Sequence, residues 1–315
     1  GPLDVFMAHM DVVFSDETEL PLRVEDGRIY CPGVGDDTAC LVCLLLAGKY
    51  IARHVDSPSW REIRGEDAPG LLLVCNAGEE GLGNLKGVRK ICEDYGGRIK
   101  SFCTFDSSLS SIVDRAVGSK RFRVKVRTRG GHSYNDFGND NAIAGLASLV
   151  GKLYKIQVPE GGKTTYNVGM ISGGTSVNTI AQEAEMLYEF RSDRRENLEY
   201  MERQFMEVLD RAKAEGTDVS FQVIGVRPCE GQVDPAQKQA LTDWAHRVVE
   251  EMTGQAPKHH AGSTDCNIPL SLGIPSVCVG SFRGAGAHTR EEYVETDSLE
   301  EGYKVAFGMI FGSRD

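Results

Sequence analysis

The sequence predicts an α/β fold: a larger domain with a mostly parallel central sheet flanked by helices, interrupted by a smaller α+β domain with ferredoxin-like order. Short apolar runs alternate with helical segments up to about residue 117, which indicates parallel strands joined by helices. A period-two pattern then begins at Arg121 and is typical of a strand with one solvated face. The α/β pattern returns at Pro235. We therefore expect domain segments of 1–117, 118–227 and 228–315, a length that suits two domains.

The outer segments supply the elements of the larger domain. Apolar runs of four to eight residues indicate buried strands, and longer periodic runs indicate helices. The predicted elements are a strand at 3–8, a weak hairpin near 20–30, a helix at about 37–53, a polar insert from Asp56 to Pro69, a strand at 70–76, a helix near 84–95, a strand at 101–105, a helix at 235–252 and a strand at Pro275–Val279.

The middle segment has a different order of elements. The alternating run Arg121–Arg127 begins a series whose predicted members are a helix at 141–155, strands near 165–172 and 182–191, a helix at 195–214 and a strand at 218–225. This β-α-β-β-α-β order is the split arrangement of a small ferredoxin-like domain.

Composition excludes several classes of protein. Lys and Arg number 35 against 46 Asp and Glu, for a net charge of −11, so neither a nucleic-acid surface nor an anionic membrane is an expected partner. No apolar run approaches the ~20 residues that cross a bilayer. The nine cysteines lie mostly in apolar runs, which favours buried free thiols and a cytoplasmic location. A core strand rarely opens a domain, so we expect native sequence, including any signal peptide, before residue 1.

Acidic residues and histidines fall where predicted strands end. His9 follows the first strand, Glu79 and Glu80 follow the strand at 70–76, and Asp106 ends the strand at 101–105. His288 lies in a loop beyond the strand Pro275–Val279, and Asp36 stands at the start of the first helix. The carboxyl edge of an open α/β sheet is where ligands bind. Singly, each residue has an ordinary alternative, such as a helix N-cap for Asp36 or an Asx-turn for Asp106.

Convergence of these side chains at one edge points to a cation. Several carboxylates would repel one another there unless a positive charge lay between them. Imidazole and carboxylate donors without thiolate suit zinc, manganese or cobalt better than a structural cysteine-zinc site.

The motifs resemble those of M20-type dinuclear metallopeptidases and amidohydrolases. The likeness extends from His9 to roughly Gly302, and its motifs, in family order, are His9-x-Asp11, Gly33-x-Gly35-Asp36-Asp37, Glu79-Glu80, Asp106, Gly130-Gly131-His132-Ser133, Gly173-Gly174-Thr175-Ser176-x-Asn178, Arg191, Gly262-Ser263-Thr264-Asp265 and His288-Thr289. This chain departs from many relatives at Thr38, where they carry Lys. The resemblance also leads us to expect, before residue 1, the N-terminal segment that relatives possess.

The resemblance implies a set of five metal ligands for two divalent ions, zinc first, with cobalt or manganese as alternatives. Asp36 would bridge the two metals. His9 and Asp106 would complete one site, and Glu80 and His288 the other. The resemblance also implies a cis peptide bond after Asp36.

The resemblance further implies an amide hydrolysis in which a hydroxide bridging the two metals attacks the scissile carbonyl. Glu79 would be the general base, and Asp11 would hold the distal nitrogen of His9. His132, in a lid and dimerisation domain, would stabilise the oxyanion, often from the partner subunit of a homodimer; a plain turn residue is the alternative.

Substrate contacts are implied for Asn178, Arg191, Thr264 and Asp265. For Arg191, a structural ion pair with Glu189 or Asp193 remains an alternative. Family analogy at Asp106 favours an exopeptidase of the tripeptidase-like branch acting on small peptides. The alternatives are an N-acyl-amino-acid amidohydrolase and a catalytically inactive relative that binds a peptide or a metal.

Overall fold

A computed structural model of the chain describes residues 1–14, 19–57, 65 and 68–312. The predicted polar insert Asp56–Pro69 lies largely outside these residues. The described chain divides into two compact units, one formed by Gly1–Ala116 with Glu230–Asp315 and the other by Val117–Cys229. None of the described helices is long and apolar enough to cross a membrane.

The strands are numbered in chain order through both units. They are β1 (Leu3–His9), β2 (Arg23–Glu25), β3 (Arg28–Tyr30), β4 (Gly70–Asn76), β5 (Ile99–Phe105), β6 (Ser111–Ala116), β7 (Gly118–Arg127), β8 (Gly131–His132), β9 (Thr164–Gly173), β10 (Thr179–Ile180), β11 (Glu183–Ser192), β12 (Asp218–Arg227), β13 (Lys258–Gly262), β14 (Ser276–Val279), β15 (Gly284–Ala285) and β16 (Tyr293–Glu295).

The helices are numbered in the same way. They are α1 (Cys40–His54), α2 (Lys86–Tyr95), α3 (Ala142–Leu153), α4 (Arg195–Ala214), α5 (Pro235–Thr253), α6 (Asn267–Ser271) and α7 (Ser298–Phe311). A distorted helical turn, Val34–Ala39, precedes α1.

The first unit is built on a mostly parallel sheet with the strand order β13-β6-β14-β5-β1-β4 among the described residues. Every residue of β1 is buried, because β1 lies between the parallel strands β4 and β5 and is covered on both faces. Phe6 packs in a cluster with α1, α5 and α7, whereas Val5 packs in a second cluster with α2 and α6. The predicted α/β class, with helices on both faces of the sheet, is confirmed.

The second unit is an antiparallel sheet with the order β12-β7-β11-β9. Its elements follow one another as β7, α3, β9, β11, α4 and β12, apart from the two-residue strands β8 and β10, which pair with each other. Phe122 and Val124 of β7 pack against Leu146 of α3 and Phe205 of α4. This is the predicted ferredoxin-like order, for which the sequence suggested limits of 118 and 227.

All nine cysteines belong to the described residues and are free thiols. Seven are buried, Cys31 is half-buried and Cys75 is exposed. Burial raises the pKa of the Cys40 and Cys278 thiols well above the ordinary value, so they are neutral packing groups.

Candidate metal centre and active site

The strand ends of the first unit bring the predicted ligands to one edge of the sheet. His9 is the last residue of β1, Asp106 directly follows β5, and Glu79 and Glu80 follow β4 after a short loop. Because β4, β1 and β5 are parallel neighbours, their carboxyl ends meet at the same edge. The side chains gathered there are therefore positioned by the register of the sheet.

Asp36 lies between two histidines. Its Oδ1 is 3.0 Å from Nε2 of His9, and its Oδ2 is 3.0 Å from Nε2 of His288. The same nitrogen of His288 is 3.3 Å from Oε1 of Glu80. Each oxygen of the Asp36 carboxylate therefore has one imidazole nitrogen within hydrogen-bonding distance.

A second group of possible metal donors also includes His9. Ligand atoms of His9, Asp37 and Asp106 all lie within 4.8 Å of one another, as do those of His9, Asp36 and Glu80. Asp37 is buried, and its Oδ2 accepts a hydrogen bond of 2.9 Å from the backbone N–H of His9. Sequence reasoning did not assign a role to Asp37, although the Asp36-Asp37 doublet was a signal that could have raised the question.

Electrostatics at this centre reflect an excess of buried carboxylates. Burial, together with the charge of Asp36, raises the pKa of Asp106 well above its ordinary value, and burial with the charge of Asp106 does the same for Asp37. Burial and the charges of Asp36 and Glu79 raise the pKa of Glu80 to about 7.

The pKa of His9 is raised, although burial alone would lower it. Burial opposes its charged form, but the hydrogen bond to Asp36 and the charges of Asp37 and Asp106 raise the pKa of His9 to about 11. The proton on His9 thus supplies positive charge among the acids. For Asp36 burial likewise opposes the charge, but the two histidines hold its pKa below the ordinary value.

Asp11 acts mainly on the backbone. Nδ1 of His9 lies 3.0 Å from the backbone carbonyl oxygen of Asp11 and 3.7 Å from its Oδ1, so the carbonyl of Asp11 makes the close contact. The carboxylate instead accepts hydrogen bonds from three successive N–H groups, with Oδ1 bonded to Gly78 and Glu79 and Oδ2 to Glu80. Asp11 therefore fixes the loop that carries both glutamates.

The segment that carries Asp36 has an unusual backbone. Gly33 has a φ of 77°, a region that favours glycine, and the peptide bond between Asp36 and Asp37 is cis, as the family resemblance implied. The carboxylate of Glu292 accepts hydrogen bonds from Gly33, Gly35 and Asp36. Glu292 has no recognisable motif around it, so this contact could not be predicted from the sequence.

The donors present fit divalent cations. Two imidazoles and several carboxylates converge, and among the described residues no thiolate belongs to these groups. Asp37, Glu80 and Asp106 have raised pKa values that a cation would lower. His9, Asp36, Glu80, Asp106 and His288 would hold the ions, and Glu79 lies beside Glu80, buried to 95% of its surface. Metal binding by these residues stays a prediction.

In the second unit, His132 and Asn178 lie in neighbouring segments. β8, which contains His132, pairs with β10, which begins one residue after Asn178. Both side chains are exposed, and the backbone oxygen of Asn178 accepts a hydrogen bond from Ser133. Nδ1 of His132 accepts from the backbone N–H groups of Tyr134 and Asn135, so this nitrogen has the turn role that the sequence left open.

Arg191 makes the ion pair that stood as the alternative to substrate binding. Its Nε and Nη2 donate to the two carboxylate oxygens of Glu189 at 2.8 and 3.2 Å, and Arg121 donates to the same carboxylate at 3.2 Å. The side chain of Arg191 is still 37% exposed. A role in substrate binding stays a prediction.

Thr264 and Asp265, in the loop expected to border a substrate pocket, are both buried, and substrate binding by them stays a prediction. Asp265 is fully buried, and its Oδ2 accepts a hydrogen bond of 2.7 Å from Nδ2 of Asn76, the last residue of β4. Thr264 is 7% exposed and its Oγ1 accepts from the backbone N–H of Cys266. The carboxylate of Asp265 points into the protein interior. Its contact with Asn76 therefore supports the end of β4, next to the loop that carries Glu79 and Glu80.

Comparison with known proteins identifies the family of this chain. The family model described as Peptidase family M20/M25/M40 matches residues 5–311. The chain belongs to this peptidase family and is a hydrolase of a metal-dependent class.

Relatives of known name include peptidases and deacylases. Acetylornithine deacetylase of Myxococcus xanthus is 24% identical over 306 residues, which cover 93% of this chain and 75% of the relative. Succinyl-diaminopimelate desuccinylase of Nitrosomonas eutropha is 24% identical over 322 residues, covering 95% and 80%. The structure of a tripeptidase from Staphylococcus aureus superposes with a TM-score of 0.73 at 23% identity, covering 99% of this chain and 80% of that one, and so shares the fold.

Proposed function

We propose that this protein is a dinuclear metallopeptidase that cleaves an amide bond of small peptides as a di- or tripeptidase-like exopeptidase. The observation that carries the proposal is the carboxylate of Asp36, which has His9 at one oxygen and His288 at the other, each at 3.0 Å. Two divalent ions, zinc first, would be held by these residues with Asp106 and Glu80. When bound, such ions lower the pKa of a water molecule and polarise the scissile carbonyl.

Glu79 is the proposed proton carrier. It is buried next to Glu80 in a loop whose N–H groups are fixed by Asp11. In the proposed reaction the carboxylate of Glu79 takes a proton from the attacking water and delivers it to the nitrogen of the leaving amine. The adjacent Glu80 serves as a ligand, so the two glutamates have separate roles.

The second unit is proposed to act as a lid and dimerisation domain. His132 would donate a hydrogen bond to the oxyanion through Nε2, because its Nδ1 already accepts two backbone N–H groups. Asn178 and the exposed part of Arg191 would bind polar groups of the substrate. Homodimerisation would use the edge strand β9, on which Met170 and Ile171 are exposed.

A second candidate function is hydrolysis of an N-acyl-amino acid. The match to a deacetylase and a desuccinylase over more than nine-tenths of this chain favours it, and the proposed attack on an amide is the same. An inactive binding protein is the third candidate, but Glu79 and all five proposed ligands are present in this chain. We also propose a reducing compartment, because all nine cysteines are free.

Metal content and a substrate panel test the proposal together. Protein purified without chelator is analysed for metals, then assayed with di- and tripeptides and with acetyl- and succinyl-amino acids. Close to two ions per chain with peptide turnover supports the peptidase, and turnover of acyl-amino acids alone selects the second candidate. Absence of metal after reconstitution with zinc, manganese and cobalt would contradict the proposal.

A further inference from the structure

Glu292 is a buried carboxylate whose partners are all in one backbone loop. Its side chain is 3% exposed. Oε2 accepts a hydrogen bond of 2.6 Å from the N–H of Gly33, and Oε1 accepts from the N–H groups of Gly35 and Asp36 at 3.0 and 2.8 Å. Its backbone carbonyl accepts another from Cys31 at 3.1 Å. One residue thus binds four N–H groups of the segment that ends at Asp36.

Two glycines of this loop offer no side chain by which it could be fixed. Gly33 and Gly35 have no side chains, and close packing excludes any: a Cβ at Gly35 would lie 2.6 Å from the ring of Phe282, and one at Gly33 would lie 2.3 Å from Val12. A glycine-rich segment loses much conformational freedom when it is ordered. Hydrogen bonds from N–H groups to a buried charge are stronger than neutral ones, so Glu292 is well suited to order it.

The same residue also links the two sides of the metal centre. Glu292 follows His288 by four residues, and His288 has a φ of 66°, which is uncommon for a residue with a side chain. The loop of residues 33–36 carries Asp36, whose Oδ2 is 3.0 Å from Nε2 of His288. Contacts through Glu292 therefore join the backbone segments that carry these two proposed ligands.

We propose that Glu292 is a positioning residue for the metal centre, which sets the placement of Asp36 relative to His288 and thereby the affinity for metal. The inference rests on the proposed function, because it assigns a role to Glu292 only if these residues bind metal. Partners of metal ligands commonly change metal affinity by about 10–100-fold when they are replaced. We expect an effect of that size.

Glu292→Gln is the informative variant because it keeps the length and shape of the side chain. An amide oxygen can still accept from Gly35 and Asp36, but its NH2 group would then face the N–H of Gly33, and two donors repel at that distance. Glu291→Gln is the matched control. Glu291 is the preceding residue, its side chain is 79% exposed, and it pairs with the exposed Arg23.

The experiment measures zinc affinity by competition with a chromogenic chelator, with thermal unfolding of the metal-free proteins alongside. We expect the zinc Kd of E292Q to rise about 10–100-fold while E291Q matches the wild type, and we expect excess zinc to restore zinc occupancy of E292Q. Glu292→Asp retains the charge but is one methylene shorter, so its zinc Kd should lie between that of the wild type and that of E292Q. It replaces E292Q if that variant does not fold.

The outcomes separate this inference from the proposed function. If the wild type binds no metal, the proposed function fails. If the wild type binds zinc and the Glu292 variants bind it equally tightly, the positioning role is refuted. A lower unfolding temperature of the metal-free variants with unchanged zinc affinity would also refute it, since that result shows a purely structural role.

Discussion

Metal binding at the Asp36 centre is expected to release protons. An imidazole must lose its proton before it binds a cation, and the pKa of His9 is raised to about 11 despite its burial, through the hydrogen bond to Asp36 and the charge of Asp37. Each proton displaced makes the affinity rise about tenfold per pH unit, or about 1.4 kcal/mol. We therefore expect the zinc Kd to fall by at least tenfold per unit between about pH 7 and pH 9.

At lower pH, metal binding should displace a second proton, the one on Glu80. Burial with the charges of Asp36 and Glu79 raises the pKa of Glu80 to about 7, so this carboxyl must also lose its proton when a metal binds below that pH. The zinc Kd should then change by about a hundredfold per pH unit near pH 5–6. Calorimetry in buffers of different ionisation enthalpy counts the protons directly.

The same shifts set the stability of the metal-free protein. Both pKa values lie above their ordinary values of 6.5 and 4.5. The stability that these groups contribute is therefore fully present below the ordinary value and lost as the pH rises through the raised one, over pH 4.5–7 for Glu80 and pH 6.5–11 for His9. Zinc should accordingly raise the unfolding temperature more at pH 8 than at pH 5.5.

The control and the refuting result follow from the same argument. His246→Gln removes an imidazole of α5 that contacts His259 of β13 and no proposed ligand, so its pH slope should equal that of the wild type. A zinc affinity that does not change between pH 6 and 9, once the chelator's own protonation is subtracted, would show that His9 does not exchange a proton for a metal. The assigned ligand set would then be wrong.

Three further predictions concern single side chains. Glu79→Gln should lower kcat about 10²–10⁴-fold with metal content unchanged, and loss of metal would show that base and ligand are assigned the wrong way round. His132→Ala should lower kcat about 10²–10³-fold without loss of metal, and unchanged kinetics would leave it a turn residue. Asn76→Ala removes the 2.7 Å donor of the buried Asp265 and should reduce the free energy of unfolding by about 1–3 kcal/mol in urea denaturation; a change near zero would show that this contact contributes little.

The sequence predicted elements whose pattern is local. The strand Gly70–Asn76 is a short apolar run ended by Ala77-Gly78, and the helix Arg195–Ala214 has a clear amphipathic period, so both were predicted with the observed limits. β6 and β13 were missed because their residues are mixed in polarity and pairing within the sheet decides their conformation.

The helix α7 was missed for a related reason. It contains Gly302 and Gly308, which disfavour a helix locally. A Cβ at Gly302 would lie 1.6 Å from the carbonyl oxygen of Ser281, so close packing requires glycine here. The same glycine lowers the helix propensity of the segment, and for that reason the sequence did not predict the helix.

The sequence could predict those site residues that lie at the ends of strands or directly after them. His9, Glu80 and Asp106 could be found because parallel strands deliver the residues after them to one edge. The contacts of Glu292 and Asp265 could not be found in this way, because each depends on hydrogen bonds between segments that are distant in the chain. Glu292 is 256 residues from Asp36, and no local pattern relates them.

The three hydrogen bonds that Asp11 accepts have a consequence for how this protein can vary. The three donors are successive backbone N–H groups, so the bonds fix the positions of Gly78, Glu79 and Glu80 along the chain whatever side chains these residues carry. Inserting or deleting a single residue between Asn76 and Glu79 would move one glutamate into the place of the other, and so exchange the proposed general base for a proposed metal ligand. We expect natural variants to tolerate substitution at the exposed Ala77 but to conserve the length of this loop.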